Sequence, residues 1–332
     1  MIRTWSADDL LLLSRTYQGA CIFAAAADLG VFETLARGVL TADDLARELR
    51  CNARAITVLL DALGAMGVLD KREGRYALTA SARPYLDPAS PSCVLPMVLH
   101  QANCMRRWAQ LSFVVKSGKP AERTPSVRGE DADTESFIGG MHVLAGPVAD
   151  DVVRSLAPLS FRHLLDVGGG PGTWTMAFLR AVPGATATLF DLPDVIPLAE
   201  RRFAEAGMSG RVRLAAGDYE KDPLPAGADF AWVSAIIHSL GRRENRRLYA
   251  SIYGALAPGG TIAVRDVVMN PDRTTPPMGA LFAVNMLVGT EEGGTYTLDE
   301  IREDLGSAGF TAVEHVRRDD GMHSIVTARR PV

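Results

Sequence analysis

Apolar positions along the first third of the chain recur at helical spacing. Residues 7 to 30 read as a helix ending at Gly30, and Thr41 followed by Asp44 marks the start of a further helix carrying Leu45, Ala46 and Leu49. Ile56, Leu59, Leu60 and Leu63 then fall at i, i+3, i+4 and i+7, with a stop near Gly67. Val68-Leu69 and Tyr76-Ala77-Leu78, separated by a charged turn through Gly74, predict a hairpin. Two helices followed by a hairpin form a winged-helix pattern. Prolines 84, 88, 91 and 96 punctuate a connection. Beyond it, residues 97 to 116 read as helix, 117 to 134 as a polar loop, and Glu135 to about Leu156 as another helix.

From His163 the texture changes. Short β-branched or apolar runs at 163–167, 185–190, 212–216, 229–237 and 260–268 alternate with helical stretches, the signature of a doubly wound α/β sheet. A helix over 298–307 and a terminal hairpin over 311–317 and 322–329 complete the pattern. The expected division is a winged-helix-like domain over 1–95, a helical connector over 96–160 and an α/β domain over 161–332.

Composition narrows the function. A chain of 332 residues, 47% hydrophobic and 22% charged, has room for two globular cores. Its net charge of −4 argues against a protein built to grip phosphate backbones. Between 41 and 76, six basic residues are balanced by six acidic ones, so the winged-helix segment lacks the basic surface of a groove reader. Cys21, Cys51, Cys93 and Cys104 show no metal-finger spacing and suit reduced thiols. The run Leu10 to Leu13 follows Asp8 and Asp9 and is too short to span a bilayer, so a cytoplasmic protein without a membrane or nucleic-acid partner is expected.

The chemistry gathers at the strand ends. The first strand of the α/β region closes in Asp166-Val167-Gly168-Gly169-Gly170-Pro171-Gly172, where glycines let a nucleotide-like ligand approach the backbone. Thr173 stands where a dinucleotide fingerprint would need its third Gly or Ala. Asp191 ends the second strand 23 residues after Gly168, placed to accept hydrogen bonds from ribose hydroxyls. Gly217-Asp218-Tyr219 ends the third, offering a carboxylate to an adenine amino group and a ring to pack on the base.

With these landmarks the α/β region resembles the class I S-adenosylmethionine-dependent methyltransferases. Nearly the whole chain is similar to the O-methyltransferases that include the caffeate and hydroxyindole enzymes and their bacterial relatives. DVGGGPG at 166–172, FDLPDVI at 190–196, GDYEKDPLP at 217–225, LAPGGTIAVRD at 256–266 and AGF at 308–310 carry the similarity in order and spacing. The resemblance implies a Rossmann-like seven-stranded methyltransferase domain, an N-terminal winged-helix dimerisation domain and a homodimer. It also implies that S-adenosylmethionine is bound by Asp166, Gly168, Gly170, Asp191, Leu192, Asp218, Tyr219 and Ser234, with no metal.

The same resemblance makes His238 the general base for a hydroxyl, steadied by Asp266. It places Phe137, Met141, His142, Phe282, Asn285 and Met286 around a small acceptor, aromatic or polyketide-like, in secondary metabolism. Three departures stand out. Ser234 occupies the position of a frequent Lys or Arg, Ser239-Leu240 replaces Asp-Trp after the histidine, and Thr295 stands where a second carboxylate is usual, with Tyr296 beside it as a substitute. Carbon or nitrogen methylation, a cofactor-retaining homologue with other chemistry, and a winged-helix regulator remain as alternatives.

Overall fold

The computed structural model describes residues 4–332, and the chain divides into two compact units. The first takes the chain up to Arg106 together with Arg123–Val143; the second takes Arg107–Glu122 and Leu144–Val332. The segment read as a connector over 96–160 is therefore shared between the two units.

In the first unit, the expected helix over 7–30 is two helices, Ala7–Leu13 and Tyr17–Asp28, and a third runs from Val31 to Ala36. Ser14 and Thr16 return their hydroxyls to the carbonyls of Leu11 and Leu13, and this local competition with the helix ladder accompanies the break. Thr41 and Asp44 form a reciprocal capping box that starts the helix Ala42–Glu48. Asn52 caps the helix Ala53–Ala65, whose Ile56, Leu60 and Leu63 are wholly buried against Phe32, Leu35, Leu45 and Tyr76. The hairpin Leu69–Arg72 and Arg75–Leu78 turns on Glu73 and Gly74, both in the left-handed region. It is tied to the helix by Tyr76 Oη donating to Asp61 at 2.7 Å.

Two sequence expectations need correction here. The helix expected from Glu135 to Leu156 begins at Glu130, where Glu130, Asp131 and Asp133 favour a helix start, and stops at Ala145. After Gly146-Pro147, which cannot continue it, Ala149–Arg154 forms a separate helix. The stretch over 97–116 is likewise two helices, Leu95–Trp108 and Leu111–Ser117.

The second unit holds a seven-stranded mixed sheet. Its strands are β1 (His163–Val167), β2 (Thr186–Asp191), β3 (Val212–Ala216), β4 (Ala228–Ser234), β5 (Leu256–Asp266), β6 (Thr311–Arg317) and β7 (Ser324–Arg329). They lie in the order β6-β7-β5-β4-β1-β2-β3. The five central and outer strands β3 to β5 in that order run parallel, and β7 enters antiparallel between β5 and β6. β4 ends at Ser234 rather than at residue 237, because Ala235 takes φ +58° and turns the chain into a short 3-10 helix, Ile237–Ser239. Strand order reverses on either side of β1, so the carboxyl ends of β1 and β4 flank the crevice where doubly wound sheets seat ligands.

Leu60 is fully buried at the centre of the first unit's core. Leu60→Ala is expected to destabilise the protein by about 2–5 kcal/mol, measured by chemical denaturation, whereas the same change at exposed Val58 is expected to cost under about 1 kcal/mol.

Candidate active site

Glycine conformation shapes the turn after β1. Gly168 and Gly172 adopt φ +62° and +73°, and a Cβ on either would run into Ile236 or the Phe203 ring at 2.6 or 2.4 Å. At Gly170, also left-handed, a Cβ would meet nothing within 4 Å, so the backbone here faces open space. Asp191, at the tip of β2, clasps this turn. Its two oxygens accept the backbone N–H groups of Gly170 and Leu192, each at 2.7 Å. Burial pushes its carboxyl above the ordinary range. Beneath the turn, Asp166 is 1% exposed, accepts the Thr175 hydroxyl, and is pushed up to about 7 by burial.

Past β3, Asp218 accepts the Glu220 N–H and the Lys221 ammonium, which holds its carboxyl below the ordinary range. The Tyr219 ring packs against the core beside Gly168, and burial raises its hydroxyl to about 12. Leu192 remains largely exposed. An open glycine backbone, a carboxylate at one strand tip and a ring past the next suit an adenosyl group.

His238 lies one turn beyond β4 and is buried. Its Nδ1 is 2.9 Å from both oxygens of Asp266, itself 2% exposed at the tip of β5. Asp266 is held in turn by the Val267 N–H at 2.8 Å. Because a carboxylate only accepts, Nδ1 is the nitrogen that donates here, and Nε2 is turned away from Asp266. The Phe282 ring meets the imidazole edge-on with centroids 4.8 Å apart. The imidazole is thus held by Asp266 on one side and met by Phe282 on the other.

An O-methyltransferase domain model matches residues 118–311, and an O-methyltransferase dimerisation domain model matches residues 12–88. The chain belongs to the O-methyltransferase family. It is similar to a 3-hydroxy-5-methyl-1-naphthoate 3-O-methyltransferase of Streptomyces sahachiroi, 36% identical over 88% of this chain and 86% of that protein. It is also similar to the tetracenomycin polyketide synthesis 8-O-methyl transferase TcmO of Streptomyces glaucescens, at 31% identity over 97% and 96% of the two chains. The solved structure of human N-acetylserotonin methyltransferase in complex with SAM superposes with a TM-score of 0.81, at 26% identity and full coverage of both chains. S-adenosylmethionine is the methyl donor of this O-methyltransferase, and the dimerisation match assigns the winged-helix-like segment to subunit pairing.

In the second unit of this O-methyltransferase, the helix Pro277–Gly289 brings Phe282 and Asn285 onto one face, three residues apart. The Trp108 indole N–H donates to Asn285 Oδ1 at 2.8 Å, which fixes the amide with its NH₂ group turned away from the indole. Met286, one position on, is buried in the fold. Phe137, Met141 and His142 belong to the first unit, where Phe137 is about half exposed and packs on His100 with centroids 5.1 Å apart.

Neither residue at the position of the usual second carboxylate supplies an acid. Thr295 is buried and its carbonyl accepts from Arg273 at 2.7 Å. Tyr296 spends its hydroxyl on the Leu240 carbonyl, inside the core. With Gly294 N–H donating to His238 O at 2.8 Å, this segment clamps the backbone on both sides of the histidine. Sequence reasoning missed that clamp and the Trp108 contact, since both join residues more than fifty positions apart. It also missed a buried arginine, Arg265, whose signal was a charge inside an apolar strand run.

The raised Asp166 carboxyl sets a pH dependence. The folded ligand-free protein holds this proton up to about pH 7, whereas the unfolded chain releases it near pH 4. The stability it contributes is therefore complete below about pH 4 and is lost as pH rises through about 7. In calorimetric melts of ligand-free protein, Asp166→Asn is expected to gain on the wild type steadily between pH 4 and 7. A melting difference flat across that range contradicts the assignment.

Proposed function

We propose that this O-methyltransferase methylates a phenolic or enolic hydroxyl on a flat aromatic or polyketide-like small molecule of secondary metabolism, with His238 Nε2 taking the hydroxyl proton. The Nδ1 contact with Asp266 is the observation that carries the reading. Asp266 fixes the tautomer in which Nε2 is a base, and its charge stabilises the imidazolium that forms. S-adenosylmethionine, when bound, supplies an electrophilic sulfonium methyl group. The residues of this chain supply alignment: the glycine turn and Asp191 hold the nucleoside, and the His238 turn, clamped by Gly294 and Tyr296, holds the base.

Acceptor shape follows from the neighbours of the imidazole. Phe282 offers a flat apolar edge, and the Asn285 amide offers donors to an oxygen near the attacked hydroxyl. The naphthoate and tetracenomycin activities in the relatives' names suit that chemistry. The four free cysteines fit a reducing, cytoplasmic setting.

The enzyme is a homodimer in this reading. An exposed apolar row, Leu10 to Leu13 with Tyr17, each more than half exposed in the single chain, runs into the start of the matched dimerisation segment at residue 12. Such a row suits burial against a second copy.

Two tests follow from these assignments. His238→Ala is expected to lower kcat about 10²–10⁴-fold while the Kd for S-adenosylmethionine stays within about 2-fold. Labelled methyl transfer onto naphthol or anthraquinone hydroxyls, with calorimetry for the cofactor, measures both, and undiminished turnover removes His238 as the base. Replacing Leu11 and Leu12 with Glu is expected to convert the dimer to monomer in analytical ultracentrifugation; an unchanged mass places the interface elsewhere.

A further inference from the structure

Arg265 is a buried cation without a counter-ion in contact among the described residues. Only 5% of it is exposed, and burial pulls its guanidinium down to about 10. Nη1 donates to Ser234 Oγ at 2.8 Å, while Nε and Nη2 both donate to His323 Nδ1, at 3.1 and 2.9 Å. The guanidinium carbon lies 4.6 Å from the centre of a Trp174 ring. All three partners are neutral, since burial and the arginine itself hold His323 below its ordinary range.

Asp266 and Asp319 act on Arg265 only through space. The first is committed to His238 and the Val267 N–H, the second to the N–H groups of Gly321 and His323. Among the described residues, no carboxylate lies within 4.0 Å of the guanidinium, and two of its five N–H groups have no acceptor. An ion buried in this way costs several kcal/mol unless an anion joins it.

Position identifies the anion. Ser234 and Arg265 are register partners at the carboxyl ends of β4 and β5, and Trp174 stands in the first turn of the helix that leaves the glycine turn. Asp191 and Tyr219 mark the nucleoside end on the far side of β1. From β2 to β4 is two strand spacings, roughly 10 Å. A nucleoside seated over β2 and β3 therefore sends its amino-acid tail across β1 toward β4 and β5.

We propose that Arg265, directly and through the Ser234 hydroxyl it polarises, receives the α-carboxylate of S-adenosylmethionine. A cation from the neighbouring strand thereby fills the place that Ser234 leaves without one. Successive strand residues face opposite ways, so the tip of β5 serves both sides of the reaction, Arg265 toward the cofactor and Asp266 toward the base. The proposal rests on S-adenosylmethionine binding at these strand tips.

Calorimetry on the full chain with S-adenosylmethionine and with decarboxylated S-adenosylmethionine tests it. The second compound keeps the adenosyl sulfonium and amine and lacks only the carboxylate. Wild type is expected to favour the carboxylated compound by about 10- to 100-fold, the worth of a charge-assisted hydrogen bond. Arg265→Met is expected to bring the ratio near one, with Arg265→Lys between. An arginine with a purely structural part would weaken both ligands alike, so a variant that keeps the wild-type ratio overturns the proposal. If Arg265→Met fails to fold, the wild-type ratio and its reduction in Ser234→Ala still decide: equal wild-type affinities overturn it. Wild type that binds neither compound overturns the cofactor assignment as well.

Discussion

A buried imidazole held at one nitrogen by a buried carboxylate constrains everything else in this enzyme. In the proposed mechanism His238 works as a base only with its other nitrogen aimed at the acceptor, and Asp266 takes up Nδ1 from the tip of a different strand. The turn that carries the histidine is held by backbone. Ala235 in the left-handed region swings the chain off β4, and the Gly294 amide and Tyr296 hydroxyl pin the carbonyls of His238 and Leu240. The sheet thus acts as a jig: strands in the order β5-β4-β1-β2-β3 place Asp266, His238, the glycine turn, Asp191 and Tyr219 along one edge.

Charge along that edge is arranged with little help from solvent. Asp166 and Asp191 sit on the nucleoside side, both raised by burial, while Arg265 sits on the other side, lowered by burial. Burial raises the cost of the charged form of each, in the two carboxylates and the guanidinium alike.

Much of this was legible from local pattern. The α/β texture after His163, the capping box at Thr41, and the terminal helix Leu298–Ser307 follow from periodicity and caps, which depend on neighbours in sequence. The polar groups at three strand tips were legible because sheet topology converts a strand end into a place. Breaks inside helical stretches were less so. Ser14 to Thr16 and Gly146-Pro147 interrupt apolar patterns that would otherwise continue, and pattern alone weighs them too lightly. Least legible were the uses of side chains whose partners lie far along the chain. Tyr296 looks like a pocket residue until its hydroxyl is found on Leu240, and Ser234 looks like a lost cation until Arg265 is found beside it.

The most direct test of the central claim is the ¹⁵N spectrum of His238 in the resting enzyme, assigned by comparison with His238→Ala. The account requires a neutral ring with the proton on Nδ1 and a bare Nε2, the tautomer that the Asp266 carboxylate selects. A ring protonated on Nε2 alone, with Nδ1 bare, would contradict it.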